Sequence, residues 1–204
     1  MTSGFTERRI ELDGVSIRCF ERGQGETIVS LHDESGAAPT VLEQKLAQNF
    51  RVVVLQSEAL ASHPPADGVG LLGKIVASLR LADHGMIAAD RAAVPALLYA
   101  AAADAASKTL VLLSPAGSLA GAESRLSQIK VPTLVLVGTE DEPTAQTVGP
   151  LCAEHIPECY QMLVYDSGRA MADERPAALF EAVADFLERR GRFVLERQES
   201  VISP

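Results

Sequence analysis

Five short apolar runs in this chain are continuous rather than alternating: ETIVSLH (26–32), RVVVLQS (51–57), TLVLLSP (109–115), TLVLVGT (133–139) and YQMLVYDS (160–167). A strand with one wet face alternates apolar and polar residues. A strand buried on both faces does not, and such strands belong to mostly parallel sheets covered by helices. HGMIAAD (84–90) fits the same class, with alanine as a weaker strand former. Helical segments separate the runs: VLEQKLAQNF (41–50), GLLGKIVASLRL (70–81), RAAVPALLYAAAADAA (91–106) and RPAALFEAVADFLERR (175–190). The last of these puts Leu179, Phe180, Val183, Phe186 and Leu187 on one face, with Pro176 near its start. Before the series, RRIEL (8–12) and VSIRCFE (15–21) are joined by Asp13-Gly14, a hairpin turn signal. The expected fold is α/β: a doubly wound, mostly parallel sheet preceded by an antiparallel hairpin.

The 204 residues suit one core rather than two. No repeat, low-complexity tract or linker divides them. The reading is a single domain over 1–204, its core at about 8–190, with a tail at 191–204 open to either a short strand or a loose end. A net charge of −9 without a basic cluster argues against nucleic acid or an anionic membrane as partner. No run of about eighteen apolar residues suggests a membrane span. The opening MTSGFTERRIELDG has no apolar stretch of the secretory kind, so a cytoplasmic location is expected. Cys19, Cys152 and Cys159 are too sparse and odd in number for a disulfide framework.

The order of landmarks resembles the α/β-hydrolase superfamily. ELDGVSIRCFERGQGETIVSLHD is similar to its opening hairpin and the strand before its oxyanion loop. RVVVLQSEALASHPP is similar to the next strand, and HGMIAADRAAVPALL to its strand–nucleophile–helix turn. IKVPTLVLVGTEDEP is similar to the strand that delivers its acid. MLVYDSGRAMADERPAALFEAVADFLERR is similar to its last strand, histidine loop and final helix. Only AGSLAGAESRLSQIK (116–130) stands where most relatives insert a cap, so no sizeable cap is expected.

The resemblance assigns positions residue by residue. The nucleophile elbow, normally G-x-S-x-G, reads Ala88-Ala89-Asp90-Arg91-Ala92, which puts Asp90 in the nucleophile place. Some branches use Asp there, since a carboxylate attacks an alkyl carbon without prior deprotonation. The bland reading makes Asp90 the N-cap of the next helix. The acid falls on Asp141, in an exposed-looking acidic loop. Arg169 stands where the family has its histidine base. An arginine stays protonated and accepts no proton. An ion pair from Arg169 to Asp90 or Asp141 is the intermediate reading. His32 matches the oxyanion-loop position. Asp33 and Glu34 follow it, placing negative charge where an oxyanion would need the opposite.

Other signals are weaker. Cys152, His155 and Cys159 have helical spacing but lack a fourth ligand, and Pro157 interrupts them, so no metal is expected. Gly68 to Gly73 reads G-x-G-x-x-G without a strand before it, so no nucleotide cofactor is expected. His84 and His63 have no evident partner. The functional expectation is an α/β-hydrolase-like protein without triad-dependent catalysis, acting by binding a small-molecule ligand or a partner. A homodimer would cover apolar surface left by the missing cap. The alternative is a hydrolase of a small ester, haloalkane or epoxide with Asp90 as nucleophile and a histidine such as His32 as its base.

Overall fold

The computed structural model describes residues 4–33, 38–62, 65–102, 106–119, 123–190 and 200–202. A hairpin opens the chain: β1 (Thr6–Leu12) and β2 (Val15–Arg22) pair antiparallel, with Leu12 opposite Val15. Asp13 and Gly14 both take left-handed backbone (φ 52 and 78), the two-residue turn whose twist matches the strands it joins. Then follow β3 (Thr27–His32), α1 (Val41–Leu46), β4 (Arg51–Gln56), α2 (Glu58–Ser62), α3 (Pro65–Ser78), β5 (His84–Ala89), α4 (Ala93–Ala100), β6 (Ser107–Leu113), α5 (Glu123–Leu126), β7 (Thr133–Gly138), α6 (Pro143–His155), β8 (Cys159–Val164), α7 (Met171–Glu174), α8 (Pro176–Arg189) and β9 (Ser200–Ile202).

The strands form one sheet in the order β1-β2-β4-β3-β5-β6-β7-β8-β9. From β4 to β9 all pairs are parallel, and only the β1–β2 and β2–β4 pairs are antiparallel. Two apolar layers cover the sheet. One includes Leu72, Ile75 and Leu97 against Val53, Met86 and Leu110. The other includes Leu42, Leu46, Leu179, Val183 and Phe186 against Val54, Ile87 and Val111. Alternate residues of each central strand enter opposite layers, which is why their runs are continuous. Each fully buried Leu, Ile or Phe of these layers contributes about 1.5–3 kcal/mol.

Three helix boundaries differ from the sequence reading, the first being that the helix expected at 41–50 ends at Leu46. The helix expected at 70–81 starts at Pro65, so the G-x-G-x-x-G stretch lies inside α3 and forms no phosphate loop. The helix expected at 91–106 spans Ala93–Ala100, its start delayed because residues Asp90–Ala92 tighten into a 3₁₀ turn. The tail contributes β9, parallel to β8. Between β6 and β7 the helix present is the four-residue α5, so no sizeable cap stands over the sheet among the described residues. Among the described residues the exposed large hydrophobic side chains are Val41 and Tyr165. No helix among the described residues is long and apolar enough to cross a membrane.

Candidate functional site

In open parallel sheets, ligands meet the carboxyl ends of the strands. Here the ends of β3, β5, β6, β7 and β8 bring together Asp33, Asp90, Ser114, Asp141 and Arg169. Asp90 follows β5 directly and has left-handed backbone, φ 51. That is the strained strand-to-helix turn that an elbow requires. The N-cap reading of Asp90 is corrected: Ala89 occupies that place, and no side chain caps the turn. With φ positive, Asp90 is already inside the turn. Its backbone carbonyl accepts instead from Ala93 N and from Ala116 N at 3.1 Å.

The Asp90 side chain is largely buried and makes an ion pair with Arg169 Nε. Arg169 Nη2 also lies 3.7 Å from Asp33 Oδ1, and Arg91 Nε donates to Asp33 Oδ2 at 2.8 Å. Two carboxylates thus sit inside, Asp33 5% and Asp90 12% exposed at the side chain, beneath two arginines that are each more than half exposed. Burial pushes the Asp90 carboxyl above the ordinary range. The Asp33 charge adds to this, while Arg169 and Arg91 pull the other way without cancelling it.

Asp141 follows β7 and is buried rather than solvated. Its Oδ2 accepts from Gly138 N at 2.6 Å. Burial holds its carboxyl above the usual range despite that bond and the Ser114 hydroxyl. The acid turn and the loop bearing Arg169 are locked together. Glu140 N donates to Ser167 O at 3.0 Å, and Ser114 Oγ donates to Gly168 O at 3.1 Å. Gly138 allows this approach, since a Cβ there would lie 2.0 Å from Ser167 O. Glu174 Oε2 accepts from Ser167 Oγ and Gly168 N at 3.1 and 3.3 Å. Arg169 therefore leaves a fixed loop.

His32 is turned elsewhere. Its Nε2 lies 2.6 Å from Glu43 Oε1 on α1. Glu43 is also the N3 residue of a capping box, its Oε2 accepting from Thr40 N at 2.7 Å and Thr40 Oγ1 at 3.0 Å. Burial opposes the charge on His32, but the Glu43 carboxylate outweighs it and holds the imidazole above its ordinary value. Burial likewise works against Glu43, and His32 with the Ser30 and Thr40 bonds holds its carboxyl below the usual range. This is a buried ion pair, and the role of His32 as a base for Asp90 finds no support in it. Among the described residues no imidazole hydrogen-bonds Asp90. His84 lies at the opposite end of β5, its Nδ1 3.1 Å from Leu81 O and its ring stacked on Tyr99. Glu34 and the side chain of His63 lie outside the described residues.

The cysteine spacing does not form a common face. Helix α6 ends at His155, and Cys159 belongs to β8. Burial pushes both the Cys152 and Cys159 thiols up to about 12. Among the described residues no group of three His, Cys, Asp or Glu could hold a metal ion.

Glu43, Arg91 and Ser114 belong to this neighbourhood and were missed from sequence. For Glu43 a signal existed, because Thr40-Val41-Leu42-Glu43 has the capping-box spacing. Arg91 and Ser114 had none, since only the folded sheet brings them to Asp33 and Gly168.

No family model matches this chain, and no curated protein sequence matches it. Solved structures do. A membrane phospholipase A described as a bacterial virulence factor superposes with a TM-score of 0.78 at 16% identity, covering 95% of this chain and 88% of its own. A serine hydrolase involved in carbazole degradation gives 0.77 at 15% identity over 92% and 100%. An alpha/beta hydrolase enzyme from a sediment metagenome of the Mar Chica lagoon, Morocco, gives 0.71 at 17% identity over 89% and 99%. At such identities the likeness concerns architecture and not chemistry. Strand order, hairpin and superposition agree: this chain has the α/β-hydrolase fold.

Proposed function

We propose that this protein performs no triad-dependent catalysis and acts by binding a small molecule or a partner. The observation that carries the reading is the Arg169–Asp90 ion pair at the carboxyl end of the sheet. Asp90, Asp141 and Arg169 match the family's nucleophile, acid and base places, and the residue in the base place cannot accept a proton. A guanidinium does not deprotonate at physiological pH. If Asp90 attacked an alkyl carbon, the resulting ester would find no general base at this position to activate water. Asp33 further opposes catalysis, because it sets a carboxylate at the loop where an oxyanion needs donors.

Beside Asp90, the segment after β6 borders an open cleft of about 440 Å³ lined by Gly117, Leu119, Glu123, Pro143, Thr147 and Val148. Its volume falls in the range of small-molecule sites. A ligand there would lie near the ion cluster without needing chemistry from it.

The test is turnover of short esters, haloalkanes and epoxides by the native chain and by Asp90→Asn. The expected result is no sustained turnover by either folded protein, with some panel members raising Tm through binding. Multiple turnovers that vanish in Asp90→Asn would instead make Asp90 a working nucleophile.

A further inference from the structure

A second groove lies on the other side of β4, at the hairpin edge of the sheet. Its volume is about 610 Å³, and Arg9, Ser16, Arg18, Gln56, Ser57 and Glu58 are among its lining residues. Arg9 and Arg18 are direct partners across β1 and β2, and Arg18 and Gln56 are direct partners across β2 and β4. Directly opposed residues share a sheet face. Two cations and one amide therefore form a row along the groove, in a chain of net charge −9.

Gln56 is the informative member. It is 1% exposed, and its Nε2 has no hydrogen-bond partner among the described residues. Its orientation is set by Arg18, whose Nη1 donates to Gln56 Oε1 at 3.5 Å. Turning the amide over would put two donors face to face. The unpaired group is therefore an N–H pair, and leaving a buried donor unmet costs about 1–3 kcal/mol. Arg18 is already committed: its Nε donates to Glu7 at 2.9 Å, and its guanidinium lies 4.8 Å from the Phe20 ring centroid. Arg9 makes no ion pair among the described residues, although its charge acts on Glu7.

We infer that this groove binds a small oxyanion, a carboxylate or phosphate group, between the Gln56 amide and the Arg9 guanidinium. The acceptor oxygens supply what Gln56 Nε2 lacks, and the anion meets a cation that makes no ion pair among the described residues. Glu58 on the lining and Glu7 on Arg18 limit the site to one compact anion and disfavour polyanions. The site is independent of the Asp90 cluster and does not rest on the reading given for it.

The experiment follows the side-chain amide resonances of Gln56 in the full chain by ¹⁵N NMR. Inorganic phosphate, acetate and chloride are added separately at matched ionic strength. Saturable shifts of the Gln56 amide with phosphate, acetate or both, absent with chloride, support the site and show which headgroup it prefers. Arg9→Met, an exposed change that leaves the core intact, should weaken the response by about tenfold or more, as expected for losing a charge-assisted bond. Arg189→Met, on α8 and paired with Asp185, should leave it unchanged. Shifts that do not saturate, that chloride reproduces, or that survive Arg9→Met undiminished would overturn the proposal.

Discussion

His32 and Asp33 are neighbours in the chain, yet they belong to ion clusters of opposite character. His32 pairs with Glu43 on α1, and the Glu43 side chain is 3% exposed. Asp33 pairs with Arg91 and Arg169, whose side chains are more than half in solvent. The first pair is closed around its carboxylate: Glu43 also receives Thr40 N and Thr40 Oγ1, so it fastens the start of α1 to the end of β3. The second is closed only from within. Its carboxylates are buried and its cations are not. The fold is held at the first cluster and merely occupied at the second. Removing a partner from the closed pair strands a charge, whereas removing a cation from the open cluster lets water replace it.

The largest effect should therefore come from His32→Ala. It leaves the Glu43 carboxylate buried without its counter-ion, at a cost of about 3–5 kcal/mol. Glu43→Ala should cost less, because the imidazole left behind can shed its proton. Urea unfolding of the two variants checks this asymmetry. Equal losses would mean that the pair acts through packing alone.

The same pair gives a pH signature. His32 is held above its ordinary value, so its contribution is complete below the unfolded histidine value of about 6.5 and is lost as pH rises through the folded one. Glu43 is held below its ordinary value, so its contribution is complete above the unfolded carboxylate value and is lost as pH falls through the folded one. His84, pushed down by burial, adds a loss as pH falls below the unfolded histidine value. Unfolding free energy followed across pH should decline on the alkaline side in the native chain. His32→Ala should remove the part of that decline nearest neutrality, leaving the loss at higher pH that the raised Cys152 and Cys159 thiols add. Persistence of the near-neutral part in the variant would assign it to another group.

Gly138→Ala comes next. A Cβ there would meet Ser167 O at 2.0 Å, a backbone atom that cannot swing aside. Overpacking of this kind costs about 1–3 kcal/mol. It should also speed hydrogen exchange at Glu140 N, which donates to Ser167 O. Faster exchange without loss of stability would show that the loop bearing Arg169 is held mainly by Glu174 and Ser114.

Much of the frame is legible in the sequence, and the reason is burial. Strands covered on both faces must be apolar throughout, so RVVVLQ and TLVLVG announce themselves, and Asp13-Gly14 names its own turn. The start of α3 does not announce itself, because Pro65, Ala66, Asp67 and Gly68 lack the apolar period that betrays a helix. The site is legible as positions and not as contacts. An ion pair from Arg169 to Asp90 or Asp141 follows from the order of the landmarks, and the choice of Asp90 does not. That Asp33 turns inward to two arginines, that Asp141 folds back on Gly138 N, and that Glu43 claims His32 all depend on side-chain directions at strand ends. Those directions are set by the sheet as a whole.

The smallest effect is expected at the open cluster, and it tests the comparison most sharply. Arg169→Met removes a cation that is 56% exposed. Solvent screening limits such a pair to about 0–1 kcal/mol. The double-mutant cycle with Asp90→Asn should give a coupling in that range. The Asp90 carboxyl is already raised, by burial first and by Asp33 second, and losing Arg169 removes a group that pulls it down. Its pKa should rise further in Arg169→Met, read by ¹³C NMR of the carboxyl. A coupling as large as that of His32 with Glu43 would instead make Arg169–Asp90 a structural clamp. The ion pair would then be there to hold the β8 loop on the sheet, and its displacement of catalytic chemistry would be a consequence of that task.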